Sequence, residues 1–423
     1  MSTNNFTLIK NARVMKEDCS GYVDGKMILI KDNQIDAIST DFPTNLHANI
    51  IDADNKVVMP GLIDAHSHIT GLNLTPKNRD ASDEEITVYA EQYLKNTLLS
   101  GFTTIREAGG ADYPIVKLLR SGKIIGPRAY ISGKALTMTG GGADFRNLEE
   151  VNDPCGCIGP HSVLSKIADG VPEVTKAVRE ELRKGANQIK VFVSGGVVFP
   201  SAAHATQYEY SLEELKAIVR EASARNTYVM AHAYSDESVK MALEAGVRSI
   251  EHANFIKEET MMLMAQKDVY YDPTFISLIQ RVETAQKENL SPSIVENLKH
   301  TIERGKEVYQ WAKKYRVPIL LGTDLWGPDA QPYQVREISE RAQFDSLQNI
   351  ITSATLNNAK VLGEDGKLGV IKEGAYADLL IVAGDPLSDP ELFQNKNNLS
   401  LIMVNGIIHK NILESMTIDL EHS

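Results

Sequence analysis

Eight short β-rich runs, each followed by a longer stretch, together with β-like segments at both chain ends, predict an α/β fold. The expected architecture is a (β/α)8 TIM barrel over residues 59–364. A small β-sandwich domain is expected from residues 1–58 and 365–423 together.

The elements justify this in order. Residues 1–58 hold FTLIKNARVM, KMILIKDNQIDAIS and NKVVMP, with Asp-Gly and Asp-Asn marking reversals. The barrel runs are GLIDAHSHI, FTTIREAG, RAYISG, QIKVFVSGG, TYVMAHAY, SIEHAN, VYYDPT and PILLGTD. Between them, EEITVYAEQYLKNTLLSG, VPEVTKAVREELRKGA, SLEELKAIVREASARN and DESVKMALEAG repeat apolar positions every three or four residues, as helices do. The tail returns to β character in GVIKEGAYADLLIV and NLSLIMVNGIIH.

Composition narrows the function. Hydrophobic residues at 43%, charged residues at 24% and a mean hydropathy of -0.21 describe an ordinary globular chain. The net charge of -12, without clustered Lys and Arg, argues against nucleic acid as a partner. No apolar run approaches the roughly 20 residues that span a bilayer, and MSTNNFTLIKNARVM lacks the pattern of a signal peptide. The three cysteines, Cys19, Cys155 and Cys157, are too few for a disulfide framework, so a cytoplasmic location is expected. Cys155-Gly-Cys157 departs from zinc-ligand spacing and reads as a loop.

GLIDAHSHI carries Asp64, His66 and His68 at every second position of an otherwise apolar run, so all three share one strand face. In a parallel barrel the site lies at the C-terminal strand ends. The other polar residues there are Lys190, His232, His252 and Asp324. Each alone has an ordinary role: a buried histidine is hydrogen-bonded in the core, a buried lysine pairs with a carboxylate, and an aspartate caps a helix. Six of them converging on one end form the nitrogen and oxygen set of a zinc-type divalent ion.

That pattern, His-x-His, Lys, His, His, Asp on strands 1, 4, 5, 6 and 8, resembles the amidohydrolase superfamily. GFTTIREAGG, GANQIKVFVSGG, AHAYSDESV, SIEHAN and LGTD look most like its prolidase-like branch, which includes Xaa-Pro dipeptidases and carboxypeptidases acting on dipeptides and N-acyl amino acids. The resemblance implies two divalent metal ions, expected to be zinc. His66, His68 and Asp324 would hold one, His232 and His252 the other, and a carbon dioxide-derived carbamate on Lys190 would bridge them. Asp324 would move the proton, and Tyr234, two residues past His232, would bind substrate and stabilise the oxyanion. Asp64 is expected to orient an imidazole or close the barrel floor, Arg106 and Glu107 to serve likewise or to pair with each other, and Ser194 to Gly196 to pass near the metals through backbone contacts.

One departure stands out. The branch carries histidine after TGG in the strand 3 loop, whereas this chain has Thr139-Gly140-Gly141-Gly142-Ala143-Asp144. His161 or His204 would substitute, or Arg146 would anchor a substrate carboxylate. The expected activity is hydrolysis of the amide bond of a small dipeptide or N-acyl amino acid, the enzyme forming a homo-oligomer. A cyclic-amide hydrolase or an imidazolonepropionase-like deaminase is the alternative, and an inactive binding scaffold is a third reading. Lys190 argues against single-metal deaminases.

Overall fold

A computed structural model describes residues 6–43, 47–73, 76–146, 163–197 and 204–413. Cys155, Cys157 and His161 lie outside them. The fold is mixed α/β with parallel sheets, and the chain divides into two compact units. One comprises Met1–Ile63, Asn96–Thr104 and Ile338–Ser423; the other comprises Asp64–Lys95 and Ile105–Glu337.

In the first unit, strands from both termini join one eight-stranded mixed sheet. Phe6–Met15 pairs antiparallel with Tyr22–Lys31 and parallel with Asn49–Asp52 and Val57–Pro60. Val57–Pro60 then pairs antiparallel with Leu379–Val382, which continues to Leu399–Val404 and Ile407–Asn411. Alternation turns Ile9, Ile28, Ile30, Leu379, Ile381, Leu401 and Met403 into a shared core. The last hairpin closes through Asn405 (φ 51°) and Gly406 (φ 73°), the residue pair that a tight twisted reversal prefers. A side chain at 406 would also strike the Asp32 carbonyl.

The second unit holds a parallel six-stranded sheet in the order Ser165–Ile167, Ala135–Thr137, Ile189–Phe192, Val229–Ser235, Ser249–Phe255, Tyr270–Asp272. The expected helices form at Asp83–Leu99, Gly170–Arg183, Leu212–Ser223 and Asp236–Ala245. Ser211 and Glu214 make a reciprocal cap at the start of the third, and Gly246 (φ 94°) ends the fourth.

Two runs depart from expectation. RAYISG is a strand only over Arg128–Tyr130, and two short strands, Ala135–Thr137 and Ser165–Ile167, follow it. PILLGTD makes only an isolated bridge, Tyr271 to Ile319. Its backbone is still held on both sides, by Leu320 N–H to the Tyr271 carbonyl and Ala65 N–H to the Leu321 carbonyl. Gly322 accounts for the close fit there, since a Cβ would stand 2.2 Å from Asp272 Oδ2 and 2.6 Å from His66 Cβ. No helix among the described residues is long and apolar enough to cross a membrane.

Candidate metal centre

The second unit brings all six expected residues to one cavity of about 570 Å³. His66 ends Leu62–Ser67, with His68 just beyond; Lys190, His232 and His252 lie on three adjacent strands. Asp324 is set at the height of His66 by its N–H, which donates to the His66 carbonyl at 2.7 Å.

Register explains most of the convergence. Phe192 stands opposite His232, so Lys190, Phe192, His232 and Tyr234 share one face. Glu251, opposite His232, falls on that face as well, whereas His252 pairs with Ala233 and would point away. His252 reaches the cavity because its backbone turns to φ 75° and that of Ala253 to φ 51°. Thr274 (φ 46°) and Asp324 (φ 51°) are also left-handed. Such residues cost about 1–3 kcal/mol each and concentrate at functional sites.

Three imidazoles are oriented from behind. His66 Nδ1 lies 2.9 Å from Glu251 Oε2, His68 Nδ1 3.0 Å from the Gly109 carbonyl and His252 Nδ1 2.8 Å from the Thr274 hydroxyl. Their Nε2 atoms are thereby left for the cavity. His68 Nε2 is 3.1 Å and His66 Nε2 3.5 Å from Asp324 Oδ1, and Lys190 Nζ is 3.1 Å from His66 Nε2. Donor atoms of His66, His252 and Asp324 lie within 4.8 Å of one another. With Nδ1 of His68 donating rearward, its lone pair faces a carboxylate oxygen with no proton between them, an arrangement that a divalent cation satisfies, while His66 Nε2 faces both that oxygen and Lys190 Nζ.

Electrostatics agree. Burial drives His66 and His252 well below the usual imidazole range and His232 to about 3, keeping the rings neutral and able to ligate. Burial works against ionisation of Asp324, but the cationic and hydrogen-bonding groups around it, Lys190 among them, outweigh it and hold its carboxyl below the ordinary range. Burial also lowers Lys190 and raises the Tyr234 phenol, which stays a donor.

His66, Glu251 and Asp272 form a second cluster of donor atoms. There Arg106 already supplies the positive charge, with Nη2 3.0 Å from Glu251 and 3.7 Å from Asp272. Arg106 therefore pairs with Glu251 rather than with Glu107. Asp64 accepts from the His66 and Thr323 N–H groups, the Thr323 hydroxyl and the Gln334 amide, tying the first run to the last.

Around the cluster, Phe192 stacks on His232 with ring centroids 4.4 Å apart, and Tyr234 stacks on His252 at 4.8 Å. Sequence reasoning missed three contributors: Glu251, Thr274 and Trp326. Trp326 stacks on His68 at 4.0 Å and its Nε1 donates to Asp324 Oδ1 at 3.1 Å. A tryptophan two residues beyond the expected ligand was the available signal.

Of the expected substrate contacts among the described residues, Tyr234 lines the cavity, whereas Arg146 and His204 do not. Arg146 donates twice to Asp144, at 2.8 and 2.6 Å, and His204 is exposed beside Thr206. Gly142 packs where a Cβ would stand 3.1 Å from Glu209 Oε1 and 3.2 Å from Gly195 Cα. The buried Glu209 carboxylate takes the space, accepting from the Gly142 N–H and the Thr137 hydroxyl.

Known proteins show the same architecture. The family model described as "Amidohydrolase family" matches residues 57–408. Ochratoxinase from Aspergillus niger is 32% identical over 377 residues, covering 84% of this chain and 76% of that protein. The crystal structure of an amidohydrolase is 37% identical with a TM-score of 0.92, covering 97% of this chain and 100% of the other. That of a prolidase complexed with N-methylphosphonate-L-proline is 32% identical, also with a TM-score of 0.92, covering 96% and 100%. With the match running through every strand that carries the cluster, this chain belongs to the amidohydrolase family, hydrolases of carbon–nitrogen bonds.

Proposed function

We propose that the protein is a metal-dependent amidohydrolase that cleaves the amide bond of small dipeptides or N-acyl amino acids. The observation that carries this is the convergence of His66, His68, Lys190, His232, His252 and Asp324 on one cavity. Similarity to a prolidase over nearly the whole chain supports the substrate class. We also propose that the parallel strands close into the (β/α)8 barrel, with the terminal strands forming the small sandwich. The hydrogen bonds that flank residues 318–324 support closure.

In this reading His66, His68 and Asp324 hold one divalent ion, zinc in the first instance, and His232 and His252 a second. When bound, the ions supply Lewis acidity to the amide carbonyl and lower the pKa of water toward neutrality. Burial lowers the Lys190 pKa, and its free amine would add carbon dioxide with release of one proton, giving a carbamate that would offer two oxygens as ligands. Asp324 uses Oδ1 toward His68 and Trp326, so its second oxygen accepts the proton of the attacking water and passes it to the departing amine. The Tyr234 hydroxyl donates to the developing oxyanion.

The test is a panel of Xaa-Pro and Xaa-Arg dipeptides and N-acetyl amino acids, assayed with protein purified without chelator. Turnover on one class, lost with chelator and restored by zinc, is expected. Turnover on cyclic amides alone would replace this reading with the cyclic-amide one.

A further inference from the structure

Among the described residues, two cationic side chains line the cavity: Lys190, held beside His66, and Arg281 on the Phe275–Glu283 helix. No step above uses Arg281. Its side chain is 14% exposed and its terminal nitrogen stands 3.2 Å from Glu288 Oε2. Its Nε is buried and has no hydrogen-bond partner. Glu288 is held in turn by the Thr284 hydroxyl, at 2.6 Å.

The placement is directed. The helix starts just after Thr274, whose hydroxyl fixes His252. Arg281 lies seven residues beyond Thr274, about 10 Å along the helix axis. Helical side chains lean toward the N-terminus, which carries this guanidinium back toward the histidine cluster. The same cavity lining includes Leu290, Ile294 and Trp326 as well as the Glu288 and Asp329 carboxylates. A guanidinium offers five donors in a planar fork, and one carboxylate contact leaves donors over. Burial pushes its pKa down, yet a guanidinium remains charged at any working pH.

We propose that Arg281 determines specificity by binding the free carboxylate of the substrate, so that the enzyme selects acids over the corresponding neutral amides. Substrates of this kind carry the carboxylate on the amine side of the scissile bond, as N-acyl amino acids and dipeptides do. The inference rests on the amidase reading and names the residue that would enforce its substrate class. It also offers a cavity-lining residue for the anchoring role, whereas Arg146 is paired with Asp144.

The experiment compares N-acetyl-L-phenylalanine with its primary amide on zinc-loaded wild type, Arg281→Met and Arg281→Lys. Wild type is expected to prefer the acid by at least about tenfold in kcat/KM. In Arg281→Met that preference falls to about one through a rise in KM for the acid, and Arg281→Lys recovers part of it. An equal loss on both substrates, or an unchanged preference, would overturn the assignment and leave the amidase standing. If wild type turns over neither compound, calorimetric binding of the acid to zinc-loaded wild type and Arg281→Met decides. Weaker binding to the variant supports the assignment, and equal affinity rejects it.

Discussion

Replacing Glu251 by glutamine keeps the volume of the side chain but leaves Arg106 as a buried cation without its main partner. Arg106 Nη2 lies 3.1 and 3.0 Å from the two Glu251 oxygens, while the Asp272 carboxylate is more distant at 3.7 Å. Removing one member of a buried ion pair costs about 3–5 kcal/mol, and Asp272 offsets part of this, so a loss of about 3 kcal/mol is expected. The same change weakens the acceptor behind His66 Nδ1, and metal affinity should fall about 10–100-fold. The assay is a double-mutant cycle of Glu251→Gln, Arg106→Met and the double variant, followed by equilibrium unfolding and by chelator competition. The double variant should be more stable than Glu251→Gln, because it no longer buries an unpaired charge, yet its metal binding should stay weak. Additive stability losses, or wild-type metal affinity in Glu251→Gln, would refute the reasoning.

Two further predictions concern the surroundings of the cluster. Trp326→Ala removes both the stack on His68 and the hydrogen bond to Asp324, and should lower kcat about tenfold, whereas Trp326→Phe keeps the stack and retains more activity; equal rates in all three would show that Trp326 does not position the ligands. Burial pushes the Glu209 carboxyl from 4.5 up to about 7, so its contribution to stability is present below about pH 4.5 and is lost as pH rises through 7. Wild type should therefore lose stability relative to Glu209→Gln between about pH 5 and 8, by at most roughly 3 kcal/mol, and parallel unfolding profiles at both pH values would contradict this.

Much of the site was legible in the sequence because the residues that carry it obey strand alternation. Lys190 and His232 fall on inward faces in register, and Tyr234 follows by the same rule. His252 and Asp324 were legible only by their place in the runs, since both reach the cavity through left-handed backbone that alternation does not foresee. Glu251 directly precedes the expected ligand His252, and its inward position opposite His232 is set by strand pairing, which the sequence does not show. Arg281 and Trp326 lie beyond the strands, where cavity contact depends on how a loop or helix packs, and Arg146 illustrates the same limit in the other direction. In the terminal sheet the strands were readable from period-two patterning, but the parallel pairing of Phe6–Met15 with Val57–Pro60 joins segments far apart in sequence and leaves no local signature.

The two-metal reading is tested most directly by the metal content of protein purified without chelator, set against that of the Lys190→Ala variant. About two divalent ions per wild-type chain, and about one or fewer once Lys190 is removed, are expected. Less than one ion per wild-type chain, with all six cluster residues intact and metal supplied during growth, would contradict it.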